Sequence, residues 1–215
     1  MTGRERRQAN AATVRLEGVS KRFGLHSVLE GLTLTFDAGE VYCLRAPSGA
    51  GKTSLLRMLM GLEHPDAGAV TGAAPGSVSV MFQEDRLSEA LTAVENVALV
   101  HPDRRVSRRS IRHELATILP ERSLDQPVAE LSGGMRRRVA LVCAMLYPSS
   151  LVLLDEPFTG LDAATKREAV GFVHAHRAGR TLIVATHGEE DAALLGARTV
   201  RLPVPGGSEV NPQDG

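Results

Sequence analysis

Four short runs constrain the fold of this chain more than any other feature: "VYCL" (41–44), "VSVMF" (78–82), "LVLLD" (151–155) and "TLIVAT" (181–186). Each is nearly continuous in apolar residues, which predicts a strand of a sheet covered on both faces. Between and around them, helical periodicity runs over 52–62, 107–119, 133–146 and 163–177. Strands of this kind alternating with helices predict an α/β core with a parallel sheet. Two earlier segments, "TVRLEGVS" and "LTLTFDAGE", alternate apolar and polar residues and predict half-buried strands of a small β region ahead of that core.

About 70 residues separate "VSVMF" from "LVLLD", more than one crossover helix requires. An inserted helical lobe over about 84–135 accounts for the excess. With 215 residues in all, the expectation is one compact unit over 13–202, with loose ends at 1–12 and 203–215. No apolar run approaches the roughly 20 residues of a membrane span. The basic start "MTGRERRQANAA" is not followed by a signal-peptide core, so a cytosolic location is expected.

Lys and Arg number 25 and Asp and Glu also 25, so no general nucleic-acid field is expected. The local arginine clusters (Arg104 and Arg105, Arg108 and Arg109, Arg136 to Arg138) are expected as solvated faces. Cys43 and Cys143 lie far apart in apolar company, without metal-like spacing, and are expected as buried reduced thiols.

"APSGAGKT" (46–53) follows a strand and precedes a helix, the context in which a phosphate-binding loop is credible. Glycines at 49 and 51 let successive backbone N–H groups converge on an anion. The loop residues expected on the nucleotide are Ser48, Gly49, Ala50, Gly51, Lys52, Thr53 and Ser54. Lys52 would bridge the β- and γ-phosphates, Thr53 would ligate Mg²⁺, and the helix dipole would add its positive end. The common pattern opens with glycine, where this chain has Ala46.

"LVLLDEPFTGLD" puts Asp155 and Glu156 at the carboxyl end of a buried strand, where parallel sheets open onto a ligand crevice. Asp155 would hold Mg²⁺, and Glu156 would orient or deprotonate the water that attacks the γ-phosphate. "TLIVAT" delivers His187 to the same side of the sheet. "LSGGM" offers a second helix start, with Ser132 at the N-cap and bare backbone N–H groups at Gly133 and Gly134. Two anion-binding helix ends in one chain suit a nucleotide sandwiched between two copies.

In this order the motifs resemble those of ABC transporter ATPase subunits, and the likeness covers about residues 14–202. "APSGAGKT" is similar to the Walker A loop, "FQEDRL" to the Q-loop with Gln83, "LSGGM" to the signature, "LVLLDE" to Walker B, "TGLD" to the D-loop with Asp162, and "ATH" to the switch histidine. Phe23 in "SKRFG" matches the aromatic that stacks on adenine. The resemblance implies a P-loop (RecA-like) core with an antiparallel β region and a helical subdomain. It implies ATP and Mg²⁺ as ligands, with Gln83 reaching toward the metal and the attacking water. It further implies a head-to-tail dimer with itself or a related subunit, in which Ser132 and Gly134 face the partner's γ-phosphate. An integral membrane permease and an extracytoplasmic substrate-binding protein are the other implied partners, with the chain on the inner face of the cell membrane.

"FQEDRL" followed by "LTAVENVAL" is similar to importers of the nitrate, sulfonate or taurine type. Two departures stand out: Arg137 where glutamine is common, and Thr159–Gly160 where Ser-Ala is frequent. The competing reading is an ABC-type ATPase that works away from transport. A small GTPase is excluded by "LSGGM" and by the lack of a guanine-reading Asn-Lys-x-Asp segment.

Overall fold

The computed structural model describes residues 11–47, 50–74, 76–103 and 105–203. β1 (Val14–Phe23) and β2 (His26–Phe36) form an antiparallel hairpin that turns at Gly24, φ 59°. β3 (Val41–Arg45) leads through the phosphate loop into α1 (Lys52–Leu59), and β4 (Ala67–Thr71) pairs antiparallel with the other edge of β1. After β5 (Val78–Met81) come α2 (Ala93–Val100), α3 (Arg108–Leu115), two short 3-10 turns and α4 (Gly133–Leu146). β6 (Leu151–Asp155), α5 (Ala163–His176), β7 (Thr181–Ala185), α6 (Asp191–Leu195) and β8 (Arg198–Arg201) complete the order.

The second sheet runs β5-β6-β7-β3-β8 and every pair in it is parallel. Its strands explain why the four apolar runs lack alternation. Cys43, Val152, Leu154, Leu182 and Val184 face one core, shared with α2, α3, α4 and α5. Tyr42, Leu44, Leu151, Leu153, Ile183 and Ala185 face another, shared with α1, β1 and β2. Adjacent residues of a strand point to opposite faces, so a sheet buried on both sides needs apolar residues at every position. The expected α/β architecture with a parallel sheet and an antiparallel one is what the chain adopts.

Four elements went beyond the sequence expectation. β4 and β8 are mostly exposed edge strands, "AGAVT" and "RTVR", which carry no apolar alternation. α6 spans only five residues. α2 did carry a signal: Thr92 accepts from the Glu95 N–H while the Glu95 carboxylate accepts from the Thr92 N–H, a reciprocal capping box written in the sequence as "TAVE". Two expected helices end early. α1 stops at Leu59, closed by Gly61 at φ 71°, and α3 stops at Leu115, five residues before Pro120. α4 and α5 occupy almost the expected spans.

The arginine clusters divide. Arg105, Arg108 and Arg109 are exposed as expected. Arg137 is not: it is 6% exposed and sits on the core face of α4 with Leu141 and Ala144. Arg104 lies outside the described residues. Cys43 is buried and Cys143 half-buried; both are free thiols, and burial pushes each up to about 12.

A second buried guanidinium, Arg180, closes the ends of two helices. It donates to the carbonyls of Met145 (2.8 Å) and Tyr147 (2.9 Å) at the end of α4, and of His176 (2.7 Å) and Arg177 (3.1 Å) at the end of α5. These are the carbonyls that a helix C-terminus leaves without partners, and its dipole favours a cation there. Burial lowers the Arg180 pKa to about 10, so it stays charged at neutral pH.

Candidate active site

The carboxyl ends of β3, β6 and β7 converge on one crevice, because adjacent parallel strands present the same end to the same side. β3 feeds the phosphate loop. Gly51 caps α1 at φ 79°, and a Cβ there would lie 2.7 Å from the Val28 carbonyl oxygen and 2.9 Å from Leu29. Only glycine fits this turn, both for its left-handed backbone and for the approach of β2. α1 has no side-chain cap and no acid in its first turn. Its N–H groups and positive dipole end are therefore left for an anion.

Lys52, Asp155, Glu156 and His187 come together here. Lys52 Nζ donates to the Ala46 carbonyl and lies 3.1 Å from His187 Nε2. That same Nε2 is 3.5 Å from Glu156 Oε1. Burial lowers the Lys52 pKa, against the pull of Glu156 and Asp155 in the other direction. Asp155 moves the opposite way: burial first, and the neighbouring Glu156 charge second, raise its carboxyl above the ordinary range. Both shifts express one cause, charged groups gathered where water is scarce.

Glu156 carries two marks of a constrained site. Its φ is 50°, a left-handed backbone rare for a residue with a Cβ, which costs on the order of 1–3 kcal/mol. Its Oε2 accepts from the Thr159 hydroxyl at 3.2 Å, while Oε1 is buried without a hydrogen-bond donor among the described residues. A buried carboxylate oxygen left this way is unusual and suits a group that waits for a donor such as water.

His187 is steered from behind. The Thr186 hydroxyl donates to the buried Asp191 carboxylate, which Lys166 Nζ also meets at 3.0 Å, and the Gly188 N–H donates to Thr186 Oγ1 at 3.0 Å. A Cβ at Gly188 would run into Asp191, so the loop after the histidine closes tightly over that acid.

The other expected residues occupy a second group. Ser132 caps α4, its hydroxyl accepting from the Met135 N–H at 3.3 Å, and is exposed with Gly133. Gly134 lies against Leu161, a residue before Asp162. Asp162 caps α5 by accepting from the Ala164 and Thr165 N–H groups and the Thr165 hydroxyl, which hold its carboxyl below the usual range. Among the described residues, no hydrogen bond or ion pair joins Ser132, Gly133, Gly134 or Asp162 to the Lys52 group. Gln83 is exposed just beyond β5, and Thr53 is exposed at the start of α1. Ala50 and Ser54 are buried. Phe23 is 53% exposed at the end of β1, with Lys21 Nζ 5.6 Å from its ring centre. Ser48 and Gly49 lie outside the described residues.

Three residues near the site were not foreseen: Thr159 on Glu156, and Arg137 with Asp85 behind it. The signal for Arg137 was its spacing, since 137, 141 and 144 follow the i, i+4, i+7 stripe of a buried helix face.

Beneath the site, a cleft of about 470 Å³ opens between β5, α2 and α4, and the exposed apolar side chains of Leu62, Leu99 and Val100 border it. Among the described residues, no helix is long and apolar enough to cross a membrane.

The family model described as "ABC transporter" matches residues 29–159. An aliphatic sulfonates import ATP-binding protein of Rhodococcus jostii is 40% identical over 205 residues, covering 94% of this chain and 75% of that protein. A Nod factor export ATP-binding protein of Rhizobium sp. is 38% identical over 197 residues, covering 84% of this chain and 64% of that protein. Among solved structures, a dimeric ATP-binding cassette in a post-hydrolysis state bound to ADP and Pi superposes with a TM-score of 0.77 at 26% identity, covering 88% of this chain and 94% of that one. With the family model spanning more than half of its length, and with these relatives alongside, the chain belongs to the ABC transporter family of ATPases.

Proposed function

We propose that this chain is the ATP-hydrolysing subunit of a solute transporter whose membrane-spanning part is a separate permease. It works as a head-to-tail dimer, with itself or a related subunit, that closes on two ATP molecules. The observation that carries this reading is the half-buried Glu156 carboxylate, on a left-handed backbone, with an Oε1 that has no hydrogen-bond partner among the described residues and lies beside His187, close to Lys52. A water placed against Oε1 has a base to receive its proton and would attack a γ-phosphate held by Lys52 and the α1 terminus. His187 contacts that phosphate from the far side. Phe23 stacks on adenine, and the loop from Ser48 to Ser54 wraps the phosphates.

The oxygen set of Thr53, Asp155 and Gln83 is of the hard kind that magnesium takes, and the buried carboxyl of Asp155, raised above its ordinary range by burial and by Glu156, fits a site completed by a cation. Mg²⁺ bound there would draw charge from the β- and γ-phosphates. Ser132 and Gly133 are exposed, with Gly134 half-buried beside them, which suits contact with the nucleotide of the other subunit, and Asp162 follows the Leu161 that Gly134 meets.

Dimer closure moves the α2–α4 region. The apolar border formed by Leu62, Leu99 and Val100 suits a segment of the permease seated in the cleft. On this reading the chain sits on the cytoplasmic face of the membrane. The sulfonate import relative supports an import direction, and with it an extracytoplasmic substrate-binding protein as a further partner.

The test is to tag the protein, extract native membranes in mild detergent and identify what co-purifies. A stoichiometric polytopic membrane protein is the expected result. A protein recovered wholly without membrane partners, even with ATP and Glu156→Gln holding the dimer closed, would favour an ATPase working away from transport.

A further inference from the structure

β5 and β6 are neighbours in the parallel sheet, and Met81 opposite Leu154 is their last paired position. Beyond it the two chains leave the ladder on the same side, one as the loop carrying Gln83 and the other as the turn carrying Glu156. Their carbonyls would be stranded there, but Arg137 reaches up from α4 and takes them. Its Nη1 donates to the carbonyls of Phe82 (3.0 Å) and Gln83 (2.8 Å) and to the Asp85 carboxylate (3.0 Å). Its Nη2 donates to the carbonyls of Asp155 (2.5 Å) and Glu156 (2.6 Å), and Nε to Glu156 again (3.2 Å). A planar guanidinium is the one side chain whose rigid fork can serve two loops at once.

The contact to Glu156 falls on the peptide that follows its left-handed backbone. Such a conformation persists only where its surroundings over-determine it, and here two N–H groups of a buried cation hold the carbonyl. We propose that Arg137 is a positioning residue for ATP hydrolysis: it locks the turn at Glu156 and joins it to the loop of Gln83, so that acid and glutamine move as one body with the helix that starts at Ser132. The proposal rests on the assignment of Glu156 above and extends it to a residue whose bonds run to the carbonyls and Asp85 behind it.

The experiment compares wild type, Glu156→Gln, Arg137→Gln and Arg137→Lys as full chains with Mg²⁺ and ATP. Glutamine keeps two N–H groups but no charge, and lysine keeps the charge without the fork. The expected result is a fall in kcat of about 10-fold to 100-fold for both Arg137 variants, the scale of a catalytic group displaced by about 1 Å. KM should stay within about threefold, and Arg137→Gln placed in the Glu156→Gln background should still form the ATP-bound dimer. Wild-type kcat in Arg137→Gln, with only a lowered melting temperature, would make Arg137 a structural residue and overturn the proposal. If that variant does not fold, Asp85→Ala decides: it removes only the side-chain tie to the Gln83 loop, and a kcat equal to wild type in it and in Arg137→Lys overturns the proposal as well. Equal turnover by wild type and Glu156→Gln would instead overturn the assignment of Glu156 and this inference with it.

Discussion

Nε2 of His187 lies 3.5 Å from Oε1 of Glu156, the oxygen of that carboxylate that has no hydrogen bond among the described residues. The pair brackets the space where a terminal phosphate and its attacking water would meet. Replacing Glu156 by glutamine keeps the shape and removes the base, so turnover should fall by about 10²-fold to 10⁴-fold while ATP still binds and the dimer stays closed. Phosphate release and gel filtration in ATP check the two halves, and full turnover would remove Glu156 from its role.

In the proposed function, Lys52 contributes to binding rather than to proton transfer. Its ammonium, partly desolvated and turned toward Ala46 and His187, is matched to a phosphate charge. A charged hydrogen bond contributes about 1.5–3 kcal/mol. Lys52→Ala should therefore weaken ATP binding by about 10-fold to 100-fold, read by titration with a fluorescent ATP analogue. Unchanged affinity would count against the phosphate-loop assignment.

Asp155 gives a pH-dependent test. Because burial and Glu156 raise its carboxyl above the ordinary 3.8, the folded protein holds that proton to higher pH than the unfolded chain does. The resulting stability is fully present below about 3.8 and is lost as pH rises through the folded pKa. Asp155→Asn, which has no charge to bury, should thus melt higher than wild type at pH 7 without nucleotide. The gain should shrink as pH is lowered toward 4, and the variant should lose Mg²⁺-dependent hydrolysis. Thermal melts from pH 4 to 8 check it, and a lower melting temperature at pH 7 would refute it.

Arg180 should act on stability alone. Arg180→Met leaves four helix-end carbonyls without their donor, and one such buried group costs about 1–3 kcal/mol. A loss of at least about 3 kcal/mol in urea unfolding is expected, with kcat per folded molecule unchanged. A change in kcat would show that the α4 and α5 ends bear on the site.

The parallel sheet and its helices were legible because burial on both faces writes itself into β3, β5, β6 and β7 as unbroken apolar runs. The Lys52, Asp155, Glu156 and His187 group was legible because strand ends carry it. Edge strands β4 and β8 were not, since half-exposed backbone pairing asks little of side chains. Arg137 was hidden by its neighbours: in "RRR" the charge run points to solvent, and only the helical spacing separates the buried arginine from Arg136. The left-handed φ of Glu156 has no signature in residue type at all.

α1 lies between the two sheets, with Leu55, Leu56, Met58 and Leu59 in one core with β1, β2, β3, β6 and β7. α3, by contrast, buries only Ile111 and Leu115. Amide hydrogen exchange should separate them: α1 amides should exchange only when the whole molecule opens, while α3 amides should exchange by local breathing. α1 should thus be among the last parts to unfold, and if its N-terminus holds ATP as proposed, ligand binding is linked to global unfolding and ATP should slow exchange across both sheets together.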